Sequence, residues 1–201
     1  METIKDLVED FKKYKWFYTS SKKLVLGGKS AKQNDSLLKR LKDIRKPFIL
    51  MHTSEPGSPF SVILSEPKKV TEKDLEQAAI FTGCFSRAWK LGKKTTTVDI
   101  FKTSQIHKDK KMKTGTWGVT GNIIKTIIKL ELVLTIQKKV LRAVPEKTIK
   151  IKKNKLLKIY PGKIDKKDML PKLHMELGEK FSQEEILSAL PAGGIKVSHK
   201  K

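Results

Sequence analysis

From Lys15 to Asn34 the chain reads KWFYTSSKKLVLGGKSAKQN, and this order of residues leaves few folds open. Residues 16–19 and 23–27 read as two short strands, with Ser20-Ser21-Lys22 as the turn of a hairpin. The second strand ends in Gly27-Gly28, a basic Lys29 follows, and Ser30 with Gln33 makes a capping box that starts a helix. Along that helix Leu37, Leu38 and Leu41 face inward, while Lys32, Lys39, Arg40 and Lys42 face outward, and Pro47 ends it. A hairpin that feeds a helix buries its apolar residues by laying that helix on a sheet, which predicts the α+β class.

The rest of the chain follows the same logic. An amphipathic helix is expected over 3–14, with Ile4, Leu7, Val8 and Phe11 on one face. Residues 48–51 and 60–64 read as strands joined by a Pro- and Gly-containing loop that begins at His52. Thr71 and Asp74 open a helix expected to run to about Leu91, with Gly92 as its stop. Residues 98–102 and 116–119 read as strands flanking a loop of Lys108, Lys110, Lys111 and Lys113. From Ile128 to Ile136 every even position is apolar, the signature of one strand with one buried face. After Pro145 the texture changes. A strand pair over 149–153 and 156–160 is expected to turn at Asn154. Helices near 168–177 and 183–190 and a last strand at 195–197 follow. The expected architecture is a main domain over 1–144, built on a single mixed or antiparallel sheet with packed helices, plus a small α+β lobe over 145–201.

Charge decides which functions to consider. The chain carries a formal +23, and residues 90–160 hold 19 Lys/Arg against 4 acids. A basic excess gathered in a folded region is an electrostatic footprint for nucleic acid, although a solubilising lysine coat produces the same count. Only 4 of the 44 basic residues are Arg, which favours phosphate contact over bidentate reading of guanine. No apolar run is long enough for a membrane span, and the acid-bearing N-terminus is unlike a secretory signal or transit peptide. With a single cysteine, Cys84, no intramolecular disulfide forms, and a cytoplasmic protein without cofactor, metal or membrane partner is expected.

Each candidate site has a plain reading beside the functional one. Gly27-Gly28-Lys29-Ser30 resembles a nucleotide loop but has Lys23 where a P-loop needs its first glycine. What survives is a glycine-preceded helix start that either binds phosphate or needs glycine for geometry alone. Cys84 lies mid-helix with no base at recognisable spacing, and His107, His174 and His199 lack ligand spacing, so neither catalysis nor a metal site is expected. His52 either meets a phosphate or base, or caps its loop. Trp16, Phe17 and Tyr18 are consecutive in a strand and cannot all face one side. Trp16, and Trp117 beside the lysine loop, are therefore candidates for base stacking, with core packing as the alternative.

The residues Trp16-Phe17, Ser20-Ser21, Leu24 to Lys29, Ala31 and Gln33-Asn34 resemble the opening of the NFACT-R domain. His52 with Gly57-Ser58-Pro59 and Val62-Ile63 resembles its second block. Ala78-Ala79 with Ser86-Arg87-Ala88-Trp89 resembles its third, and Gly115-Thr116-Trp117-Gly118 its late strand. Ser54 departs from the acid usual shortly after the family's histidine. The resemblance implies RNA binding, with tRNA, rRNA or the large ribosomal subunit as partner, in translation or ribosome quality control. It is to the stand-alone form of the module and does not imply the tailing of stalled chains that larger members perform. The expected contact residues are Trp16, Lys29, His52, Arg87, Lys108, Lys110, Lys111, Lys113, Trp117, Lys125 and Lys129. DNA binding through the same surface, or a protein adaptor on the ribosome, are the competing expectations.

Overall fold

The computed structural model describes residues 3–151, 154 and 156–198. Thr3 and Asp6 box the start of α1 (Ile4–Glu9). β1 (Lys15–Tyr18) and β2 (Leu24–Gly27) then form the expected antiparallel hairpin, Trp16 opposite Leu26. Ser30 caps α2 (Ala31–Asp43) by accepting from the Gln33 amide at 3.2 Å; the Gln33 side chain reaches one residue further out, to the Lys29 amide at 2.8 Å. Next come β3 (Ile49–Thr53), β4 (Ser61–Ile63) and α3 (Glu72–Cys84). The helix expected to reach Leu91 breaks at Cys84. There the Ser86 hydroxyl donates to the Gly83 carbonyl and caps a separate α4 (Arg87–Lys90) by accepting from the Ala88 amide. Gly92 stops α4 with φ +70°, as expected.

β5 (Thr95–Lys102), β6 (Ile106–His107), β7 (Gly118–Val119) and β8 (Ile124–Lys129) follow. The alternating stretch 128–136 is not one strand. β8 ends at Lys129, and β9 (Leu132–Gln137) starts in another sheet after Leu130-Glu131. β10 (Val140–Val144), β11 (Leu157–Asp165), α5 (Leu170–Leu177), α6 (Gln183–Ala189) and β12 (Gly194–Val197) complete the chain. Residues 149–151 form no strand, and Lys152 and Lys153 of that expected strand, like His199, lie outside the described residues.

The expected α+β class holds, with antiparallel pairing in every sheet. A six-stranded sheet is ordered β1-β2-β4-β3-β5-β8, a four-stranded one β10-β9-β11-β12, and β6 pairs β7. The four-stranded sheet joins strands from both sides of residue 144, so the expected division at 144/145 runs through its middle.

Register sorts the core. Trp16, Leu26, Val62, Leu50 and Phe101 form one row across the large sheet, covered by Leu37, Leu38 and Leu41 of α2. Burying each of those leucines contributes about 1.5–3 kcal/mol. On the opposite face Phe17, Val25 and Ile63 pack with Ala78, Phe81 and Cys84 of α3, and that core runs on into the four-stranded sheet. The outer edge of β1 is covered by side chains of the second sheet. Gln137 accepts from the Tyr18 amide at 2.8 Å and donates to its carbonyl at 2.9 Å, and Arg142 Nε donates to the Trp16 carbonyl at 3.1 Å. An edge strand is thereby closed to a second chain. Among the described residues no helix is long and apolar enough to cross a membrane.

Candidate nucleic-acid interface

At the end of the large sheet where β2 and β3 finish, four segments surround a cavity of about 610 Å³. They are the β2–α2 turn with Gly28 and Lys29, His52 with the β3–β4 loop, Asp99 and Phe101 of β5, and residues 114–117. Gly28 is required by close approach, since a Cβ there would lie 2.1 Å from the Asn34 side-chain oxygen. That oxygen accepts from the Phe60 amide and so ties α2 to β4.

His52 stacks on Phe60 with centroids 4.4 Å apart. Its Nδ1 lies 2.7 Å from the Thr53 carbonyl, which has no proton to give, so Nδ1 carries the hydrogen and Nε2 keeps a lone pair. Burial pushes its pKa down, against the Thr53 carbonyl and the Asp99 carboxylate, so the neutral acceptor form dominates at pH 7. Register places His52, Asp99 and Lys125 side by side on the face of the sheet that α2 covers elsewhere, and Lys129 lies on the same side of β8. Ser54, standing where the resemblance leads one to expect an acid, donates to Asp99 Oδ1 at 2.6 Å, and Lys125 pairs with the same carboxylate at 3.5 Å.

The lysine loop is anchored by one residue the sequence analysis passed over, Asp35 of α2. Its carboxylate accepts from Trp117 Nε1 at 2.7 Å and from Lys108 Nζ at 3.3 Å, and it takes the Gly115 amide as well. Burial raises its pKa, but the Gly115 amide, the Trp117 indole and Lys108 together outweigh that and hold it below the usual carboxylate range. Gly115 has φ +81°, and a Cβ there would lie 2.7 Å from that of Ala31, so the loop rests directly on the helix. The signal was present: Asp35 sits three residues before Leu38, an acid beside the apolar stripe of an otherwise lysine-coated helix.

Three expected contact residues therefore need correcting. Trp16 is 2% exposed, packed edge-on against Phe11 and Tyr18 with the Arg142 guanidinium over its ring, and cannot meet a base. Trp117 is 8% exposed and forms cavity wall, its N–H spent on Asp35. Lys108 is a clamp, donating also to the Lys113 and Thr116 carbonyls at 2.7 and 2.8 Å. Lys29 and His52 do share the cavity, and Arg87 flanks it, its amide donating to the Gly57 carbonyl at 2.7 Å. Lys110, Lys111, Lys113 and Lys129 are exposed, and their ammonium groups have no partner among the described residues. Cys84 is fully buried, its thiol pushed well above the ordinary value by burial and its hydrogen directed at the Glu131 carbonyl. Such a thiol supplies no nucleophile.

A family model described as "NFACT protein RNA binding domain" matches residues 13–121. The chain is 31% identical over 204 residues to the Archaeal Rqc2 homolog aRqcH of Methanocaldococcus jannaschii, across 94% of this chain and 29% of that protein. It is 32% identical over 116 residues to the Ribosome quality control complex subunit NEMF homolog of Drosophila melanogaster, across 57% of this chain and 11% of that protein. The chain thus spans less than a third of the length of the curated relatives it matches. The C-terminal part of the fibronectin/fibrinogen-binding protein from Streptococcus suis superposes with a TM-score of 0.48 at 20% identity, over 58% of this chain and 44% of that one.

Proposed function

The chain belongs to the NFACT protein RNA-binding domain family, and on that premise we propose that it is a non-catalytic RNA-binding protein of ribosome quality control, docking beside tRNA or on the large ribosomal subunit in the cytoplasm. The observation that carries this reading is the clamped loop over α2. Asp35 holds a segment whose Lys110, Lys111 and Lys113 are unpaired and point into solvent, next to a cavity with Lys29 and a hydrogen-bond acceptor at His52. Lysines on a rigid loop track phosphates, while Nε2 of His52 accepts from a ribose hydroxyl or a base N–H, the group that tells RNA from DNA being the 2′-hydroxyl. The name of the Drosophila relative, a subunit of the ribosome quality control complex, supports the same setting.

The test is a titration of structured RNA at several salt concentrations. With six to eight phosphates neutralised, the log–log slope should be about −4 to −7, and a flat response would end the proposal. The triple variant Lys110→Gln, Lys111→Gln, Lys113→Gln should weaken binding about equally across RNA sequences and reduce the slope by about 2–3. Loss confined to one sequence would contradict the phosphate assignment. Competition with matched DNA reads the contribution of the 2′-hydroxyl, and equal affinity would turn the reading toward a general polyanion binder.

A further inference from the structure

A second cavity, of about 430 Å³, lies where β1 meets β10 and the end of α6. Its charge is one-sided. Lys12, Lys15, Lys29, Arg142 and Lys166 line it, and no carboxylate does. Arg142 is only 7% exposed. Its Nε is used on the Trp16 carbonyl and its Cζ lies 4.8 Å from the Trp16 ring centroid, so the guanidinium is held in one orientation. Its two amino groups meet no acceptor among the described residues. Lys15 is half-buried, with Nζ 4.5 Å from the Phe85 ring centroid and no carboxylate partner. Lys166 donates to the Leu187 carbonyl at 2.9 Å, which fixes a third cation at the same site.

A desolvated guanidinium without a counter-ion costs several kcal/mol, and two lysines beside it make the cost larger. The titration of the groups agrees with the geometry. Burial, then Arg142, Lys166 and Lys29, push Lys15 down to about 8, and burial pushes Arg142 down to about 10. Such a cluster lacks an anion with several acceptor oxygens. A phosphate offers these and enough charge to meet a guanidinium edge and ammonium groups together. Lys15, Lys29 and Ala192 line this cavity and the first one alike, so a polynucleotide in the first runs toward the second.

We infer that Arg142, Lys15 and Lys166 form a phosphate-binding site, filled by a backbone phosphate of the RNA whose neighbouring nucleotide occupies the first cavity. The choice of RNA as the source of the phosphate rests on the proposed function; the phosphate chemistry stands without it. The charged groups facing the site are Lys12, Lys29, Arg142 and Lys166 around Lys15, with the phenol of Tyr14 beside them. An anion there favours the protonated lysine, so occupancy raises the pKa of Lys15, and binding weakens as pH rises through about 8.

The probe is inorganic phosphate added to the full chain, with the titration of Lys15 followed by NMR of labelled lysine. Phosphate in the millimolar range should shift Lys15 upward by about one pH unit, and Arg142→Gln should abolish the shift. If Arg142→Gln loses its fold by circular dichroism, Lys166→Gln, which leaves the Trp16 contact intact, should cut the phosphate affinity at least threefold. No movement of Lys15 in the wild type, or a full shift in the variants, overturns the site. In the RNA arm, Arg142→Gln should lower affinity about tenfold and the salt slope by about one. An unchanged RNA affinity with the phosphate shift intact would overturn the assignment to RNA and give the site to a free phosphate compound. A wild type that ignores RNA while phosphate still moves Lys15 would sink the proposed function and leave the phosphate site standing.

Discussion

Replacing Asp74 by alanine should lower the unfolding free energy by about 3–5 kcal/mol, more than any other single carboxylate change in the molecule. Asp74 has no exposed surface, yet it serves both a helix and a hairpin. It closes the capping box of α3 with the Thr71 amide at 3.0 Å, and it accepts from Ser21 and pairs with Lys23 at 3.2 Å in the β1–β2 turn. Alanine would leave Lys23, itself only 17% exposed, without its carboxylate, and would strip α3 of the reciprocal half of its capping box, Thr71 alone still accepting from the amide of residue 74. Burial raises the pKa of Asp74, but Ser21, Thr19 and Thr71 overcome that and hold it far below the usual carboxylate range. A depressed folded value means that the stabilisation is complete above the unfolded pKa of about 3.9 and drains away as pH falls through the folded one. Asp74→Asn should therefore lose part of its deficit relative to wild type by pH 2.5, where the unfolded carboxyl has taken up its proton and the folded one has not. Urea unfolding at pH 7 and at pH 2.5 measures both numbers. A loss below about 1 kcal/mol at pH 7 would show that the hairpin and α3 are held by Gln77, which bonds Ser20 twice at 2.8 Å, without help from Asp74.

That junction was half legible in the chain. Thr71 and Asp74 announce a capping box because both partners lie within one turn, whereas at α2 only the Ser30 half of the expected box forms and Gln33 turns to the Lys29 amide. The bonds of Asp74 to Ser21 and Lys23 span about fifty residues and leave no local trace. Periodicity has the same reach. It shows which side of a strand is apolar but not which sheet the strand joins, so the even apolar positions from 128 to 136 concealed a change of sheet at Leu130-Glu131. Both ends satisfy one alternation because every even position but the last finds an apolar core, whichever sheet supplies it. The strand expected over 156–160 instead runs on through Pro161-Gly162 to Asp165, with a shifted register. Gly162 is needed there, a Cβ lying 2.4 Å from the Ile195 carbonyl carbon. The candidate site divided likewise. Lys29 and His52 stand beside turns that their own neighbours specify. The burial of Trp16 leaves no local trace, because its cover, Arg142, arrives from a strand 126 residues later.

The second large effect is expected at Asp35, where two physical arguments predict opposite signs. Asp35→Ala removes one negative charge from a chain of net +23, and Coulomb attraction alone would make RNA binding tighter by a small factor. Against this stands the loop. Without the carboxylate the Trp117 indole N–H is left buried and unpaired, Lys108 keeps only carbonyl partners, and the Gly115 amide loses its acceptor. Unfolding should become easier by about 2–4 kcal/mol, from a charged hydrogen-bonding group lost and a buried donor orphaned. Lys110, Lys111 and Lys113 would then sit on a segment that must be ordered again at each binding event. Holding a long side chain costs about 0.5–1.5 kcal/mol, so three lysines give up more than one surface charge returns. The net expectation is RNA affinity lower by about three- to tenfold, with the salt slope nearly unchanged because the same phosphates are still met. Asp35→Asn separates the two effects, since it removes the charge while keeping an oxygen that accepts from Trp117. It should fall between wild type and alanine in both stability and affinity. Tighter RNA binding by the alanine variant would mean that the lysines act as a diffuse charge, and that the clamp on α2 serves the fold alone.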